Sequence, residues 1–130
     1  MRRVGRMGSG MGKMTGRFVF SGIAVTDYPR ASAWYETLFG APSDAIVREG
    51  VECMWEIREG AWIYIVVDRE RAGKSIATIA VHDLQDALAG ASASDAHRYA
   101  METSPGVYHK AVFSDPDGNT VTLAKLLQAK

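Results

Sequence analysis

The chain has 130 residues, 47% of them apolar, with 15 Lys and Arg against 15 Asp and Glu. That length is expected to make one domain or two small repeats sharing a core, and the composition excludes a wholly disordered chain. No run reaches about 18 apolar residues and no apolar signal segment opens the chain, so no membrane partner and no export are expected and the setting is expected to be cytoplasmic. The single Cys53 excludes an intrachain disulfide and a multi-cysteine zinc site.

The net charge of zero is unevenly spread. Residues 1–17 hold Arg2, Arg3, Arg6, Lys13 and Arg17 and no acid, so this segment is +5 and the remainder −5. Five glycines and four methionines fill much of it, which predicts a flexible basic leader. A nucleic-acid or lipid arm is the alternative, but glycine dilutes the charge and no aromatic residue is interleaved, so no nucleic-acid partner is expected. An over-extended start, with Met14 as initiator, explains the segment as well, and a transit peptide fits poorly because Ser and Leu are scarce.

Residues 23–27 and 79–83 read Ile-Ala-Val-x-Asp, an internal repeat at an offset of 56 residues. Asp27 and Asp83 sit where helix N-caps belong. The first helix is predicted from Tyr28 to Phe39, with Ala31, Trp34, Tyr35 and Leu38 as its apolar stripe. Gly40 suits its C-terminal cap and Pro42 blocks a restart. Strands are predicted at Ala45–Arg48, Glu52–Ile57 and Trp62–Val67, the last a run of aromatic and β-branched residues. The second helix is predicted from Leu84 to about Ser94. Strands follow at Tyr99–Glu102, Tyr108–Phe113 and Thr120–Leu127, with Asp115-Pro116-Asp117-Gly118-Asn119 as a dense turn signal. The fold class is therefore α+β. Each half is a strand, a helix and three strands, and a half of about 55 residues buries too little to stand alone.

These residues resemble a known family. Val25-x-Asp27, Ala33-Trp34-Tyr35, Leu38-Phe39-Gly40, Val81-x-Asp83-Leu84 and Phe113-x-Asp115-Pro116-Asp117-Gly118-Asn119-x-Val121-x-Leu123 together look like the vicinal oxygen chelate superfamily. Its members include glyoxalase I, extradiol dioxygenases, fosfomycin-resistance enzymes and bleomycin-resistance proteins. The resemblance implies two paired βαβββ modules, about 18–70 and 74–127, with curled mixed sheets around a cavity, and a homodimer. Its metal enzymes hold a divalent ion with His, Gln or Glu from four strands. Carried over by register, those positions fall on Phe20, Tyr64, Ile76 and Thr122. None is a ligand of the expected type, and shifting the register by one residue does not restore one. The resemblance then points to the metal-free, bleomycin-resistance-like branch: no metal, no cofactor and no assigned catalytic residue.

The expected function is metal-independent binding of a small apolar, aromatic or cationic molecule, as in antibiotic sequestration. Phe20, Tyr64, Ile76 and Thr122 would line the site with Trp62 and Thr78, while His109, at a strand start by the cavity mouth, could act as a base and Glu56 could meet a cationic ligand. Two alternatives stay open. One is a lyase, isomerase or dioxygenase with a displaced or absent metal, which needs two or more of His82, His109, Glu56 and Tyr64 at one point. The other is a regulatory or scaffold domain whose cavity Phe20, Ile76 and Tyr64 fill. The three histidines are expected at the surface and Cys53 as a buried, inert thiol.

Overall fold

The computed structural model describes residues 12–91 and 97–127. Most of the basic leader, residues 1–11, lies outside the described residues; residues 12–17 are exposed.

The first module starts with β1 (Val19–Val25), followed by α1 (Tyr28–Phe39). Asp27 caps α1, its Oδ1 accepting from the Arg30 backbone N–H at 3.1 Å. Gly40, at φ 78°, closes the helix in the left-handed region that the sequence assigned to it. Three strands complete the module: β2 (Ala45–Arg48), β3 (Glu52–Arg58) and β4 (Ala61–Val67). The second module repeats the order with β5 (Ile76–Ala80), α2 (Leu84–Leu88), β6 (Tyr99–Ser104), β7 (Tyr108–Ser114) and β8 (Thr120–Leu126). Asp83 caps α2 as Asp27 caps α1, with matching backbone angles and a bond from Asp86 N–H at 3.0 Å.

The described second helix is shorter than the sequence predicts, ending at Leu88. Gly90 follows, and glycine in a helix interior costs about 1 kcal/mol relative to alanine. The predicted continuation toward Ser94 falls on residues 92–96, outside the described residues.

Two four-stranded mixed sheets result, ordered β1-β4-β3-β2 and β5-β8-β7-β6. In each, the first strand runs parallel to the last and the other pairs are antiparallel. The sheets do not close into a barrel. Strand alternation gives each sheet two unlike faces. One presents Ile23, Val25, Cys53, Trp55, Ile63 and Ile65 from the first module, with Ala111, Phe113, Val121 and Leu123 from the second. Together with Trp34, Tyr35, Leu38, Leu84 and Leu88 of the helices, these form one apolar core shared by both modules. The other face of each sheet contributes no residue to this core and lies largely open, with Ala24, Thr122 and Ala124 its buried members.

The turn Asp115–Asn119 locks the modules together. Asp115 is buried and its carboxylate accepts four hydrogen bonds: from the Tyr35 hydroxyl at 2.7 Å, Asp117 N–H, Asn119 N–H and the Asn119 side-chain amide. The Asn119 amide also donates to the Ala24 carbonyl at 2.8 Å, and its oxygen accepts from Ser75 N–H. Asp117 accepts from the Thr26 N–H and hydroxyl. The sequence marks this segment as a turn; its side chains in fact carry the hydrogen bonds that fasten the end of β1 to the second module.

Candidate functional site

The open faces hold most of the residues singled out from the sequence. Cross-strand partners share a face. Phe20 pairs with Trp62, which pairs with Glu56; Gly22 pairs with Tyr64, which pairs with Met54. In the second module Ile76 pairs with Thr120, and Thr78 with Thr122. The four positions carried over from the metal enzymes thus occupy matching places on the two sheets: Phe20 and Ile76 on the first strands, Tyr64 and Thr122 on the last.

Their surroundings differ. Phe20 is 52% exposed and Ile76 79% exposed, so neither fills a core within this chain. The Phe20 ring stacks on Trp62 with centroids 6.0 Å apart. Tyr64 is half-buried and lies across β1 at Gly22, where a Cβ would fall 2.4 Å from the tyrosine Cζ. Only a glycine opposite Tyr64 lets the ring lie there. Thr122 is buried. The set of phenyl, phenol, alkyl and hydroxyl groups does not fit a divalent cation, since two members have no donor atom and neutral hydroxyls are weak ligands. Among the described residues no group of three His, Cys, Asp or Glu could hold a metal ion.

Glu56 and His109 are placed differently from the rest. Glu56 stands on the open face, but its carboxylate accepts from Gly60 N–H at 3.2 Å at the β3–β4 turn. His109 shares parity with Ala111 and Phe113 and so belongs to the helix-facing side of β7. Its Nδ1 lies 3.1 Å from the Thr103 hydroxyl. His82 is exposed in the loop before α2. No hydrogen bond among the described residues joins any two of His82, His109, Glu56 and Tyr64, and His109 is on the opposite face of the sheet from Thr122.

His97 corrects the expectation of surface histidines. It is 4% exposed, stacks on the Trp34 indole with centroids 4.6 Å apart, and brings Nε2 within 2.8 Å of the Trp34 carbonyl. No local pattern announced this, because the partner lies 63 residues away. Cys53 is free and fully buried. The Tyr28 hydroxyl beside it is pushed up to about 12, by burial first and then by the neighbouring thiol.

Two hollows bear on binding. One, of about 330 Å³, runs along the junction of β1 and β5 and brings Trp62 and Thr78 together with Val19, Ser21 and Ile63. The other, of about 460 Å³, lies on the helix side between the C-terminal end of α1 and α2. Its walls include Leu38, Trp55, Ile57, Ile79 and Leu123, with Asp44, Glu56 and Asp86 also on the lining.

Two four-stranded βαβββ sheets sharing one core, with matching positions on the first and last strands, define the paired βαβββ class. The chain belongs to the glyoxalase/bleomycin-resistance family within the vicinal oxygen chelate superfamily. It is 34% identical to a glyoxalase/bleomycin resistance protein from Catenulispora acidiphila, with 85% of this chain and 99% of that one covered at a TM-score of 0.80. An antibiotic-binding protein from a Streptomyces species shares the fold at 18% identity and a TM-score of 0.66, covering 88% of this chain and 99% of that one. A lactoylglutathione lyase from Agrobacterium tumefaciens does so at 13% identity and 0.70, covering 86% and 95%. No family model and no curated protein matches the sequence.

Proposed function

We propose that this protein binds a small apolar, aromatic or cationic molecule on the open sheet faces and releases it unchanged, without a metal. The observation that carries this reading is the composition of the four matching strand positions, where Phe20, Tyr64, Ile76 and Thr122 stand in place of a donor set. Phe20 stacked on Trp62 offers a flat surface of the kind that holds aromatic ligands. Tyr64, Thr78 and Thr122 add hydroxyls that can orient one. The net −5 outside the basic leader favours a cation by long-range attraction. Structural likeness to an antibiotic-binding protein supports the choice of ligand class. A cytoplasmic setting and a homodimer, whose second copy would cover Phe20 and Ile76, belong to the same reading.

The test is a thermal-shift and calorimetric screen of the full chain against aromatic and cationic antibiotics, with product analysis and metal determination. Expected is a saturable ligand recovered intact, whose affinity falls about tenfold or more in Trp62→Ala. Stoichiometric Ni, Zn, Fe or Mn surviving dialysis overturns the metal-free part. Unchanged affinity in both Trp62→Ala and Tyr64→Ala overturns the placement.

A further inference from the structure

β1 and β5 open their respective modules, and each is the outermost strand of its own sheet. They lie side by side without pairing as strands. One end of this seam is closed by Ala24 N–H, which donates to the Ser75 hydroxyl at 3.0 Å. The other end, from Val19 and Ser21 on β1 to Ile79 on β5, holds the hollow of about 330 Å³. Ser21 and Ile63 are register partners and share the parity of the buried Ile23 and Ile65, while Ile57 and Ile79 pack against the shared core. These walls put the hollow on the helix-facing side of the seam, across the sheets from Phe20, Tyr64, Ile76 and Thr122. Val19 N–H donates to the Gly60 carbonyl at 2.8 Å, which ties the start of β1 to the β3–β4 turn and brings Arg58 to the same hollow.

We infer that this hollow is a second binding site, separate from the open sheet faces, for a small amphipathic carboxylate such as an aryl acid. Val19, Ile57, Ile63 and Ile79 give it apolar walls, and Val19 leaves 69% of its surface exposed there. Its described lining carries one charged residue, Arg58, and no Asp or Glu. Glu56 and Glu59 are close to Arg58 in sequence, yet neither lies on the lining, and among the described residues Arg58 enters no ion pair. Its guanidinium presents paired N–H donors that match the two oxygens of a carboxylate. The Ser21 hydroxyl on the same wall supplies a further donor. The net −5 beyond residue 17 opposes an anion at long range, but exposed charges more than about 8 Å away are largely screened at physiological salt. The guanidinium on the lining therefore sets the sign. A volume of about 330 Å³ lies at the small end of ligand sites, which suits an acid of one or two rings.

The probe is 1-naphthoate, titrated into the full chain beside 1-naphthamide and 1-naphthylmethylammonium, which keep the rings and change the charge. Amide and isoleucine-methyl NMR shifts follow each titration. Expected is saturable binding of the acid, with the largest shifts at Ile57, Arg58, Ile63 and Ile79. The amide should bind about tenfold or more weakly, and the ammonium should not saturate. Arg58→Gln, at an exposed position, should bring the acid down to the affinity of the amide and flatten its salt dependence. Equal affinity for acid and amide in the parent chain overturns the site, as does an acid affinity unchanged in Arg58→Gln. Shifts gathered instead at Phe20, Tyr64 and Thr122 also overturn it while leaving the open-face reading intact. The three titrations of the parent chain decide the matter even if Arg58→Gln does not fold.

Discussion

Tyr35 and Asp115 stand 80 residues apart in the chain, and the Tyr35 hydroxyl donates to Asp115 Oδ2 across 2.7 Å inside the shared core. Each residue belongs to a different module, so the bond reports directly on whether the two halves are docked. Tyr35→Phe should lower stability by about 1–3 kcal/mol, the usual cost of leaving a buried polar group one partner short. Asp115→Ala should cost more, because it strands the Tyr35 hydroxyl, two backbone N–H groups and the Asn119 amide together. Urea unfolding measures both. A Tyr35→Phe midpoint equal to that of the parent chain would show that the bond adds nothing.

The same contact predicts alkaline sensitivity. Burial first, and then the charge and hydrogen bond of Asp115, push the Tyr35 phenol well above its ordinary value. Tyr28 is pushed up to about 12 from 10.0, chiefly by burial. A raised folded value means the folded state holds its proton more tightly than the unfolded chain. The associated stability is therefore complete below the unfolded value of about 10 and is lost as pH rises through the folded values. The urea midpoint should be level from neutral pH to about 9 and fall above 10. The fall should be shallower in Tyr35→Phe.

Trp34 and Gly90 offer a paired test of how each half is filled. Trp34→Ala should cost about 3–5 kcal/mol, since it removes a buried indole that touches Tyr35, Phe113 and His97. Gly90→Ala should be close to neutral, because its Cβ meets only the Thr37 carbonyl, at an ordinary 3.9 Å. Equal costs at the two positions, measured by urea unfolding, would show that the Trp34 indole adds nothing to the core.

Gly22→Ala should displace the Tyr64 ring while the fold survives, because the clash falls on the far end of a side chain. The Gly22 α-protons of the parent chain should carry a ring-current shift, and Tyr64→Leu should abolish it. Ordinary α-proton shifts in the parent chain would place the ring elsewhere.

Cys53 should resist Ellman's reagent in the native protein and react only as fast as the structure opens. Rates that climb with urea in step with unfolding fit this. Rapid modification without denaturant would reveal a local opening at β3.

The fold was legible because its signals are local. Asp27 and Gly40 bracket the first helix, Trp62–Val67 announces a buried strand, and the repeated Ile-Ala-Val-x-Asp exposes the duplication. The end of the second helix was less legible, since its small apolar stripe hardly outweighs Gly90. Strand parity placed Phe20, Tyr64, Ile76 and Thr122 on the open faces, yet parity alone does not say which side the helices cover, and His109 fell on that side. Contacts between distant segments left no local trace: the seat of His97 on Trp34 and the reach of Asn119 to Ala24 depend on packing set by the whole molecule. The helix-side groove was illegible for the same reason, because its walls come from both modules.

The Asp115–Asn119 turn has a consequence for how the protein can be divided. Its hydrogen bonds to Ala24, Thr26 and Tyr35 join the halves without using the peptide link between β4 and β5. That link serves mainly to keep the halves at high local concentration. Two fragments separated between Asp68 and Gly73 should each fail to fold alone and recover the native core when mixed, which would make the molecule a split reporter whose signal is its own assembly.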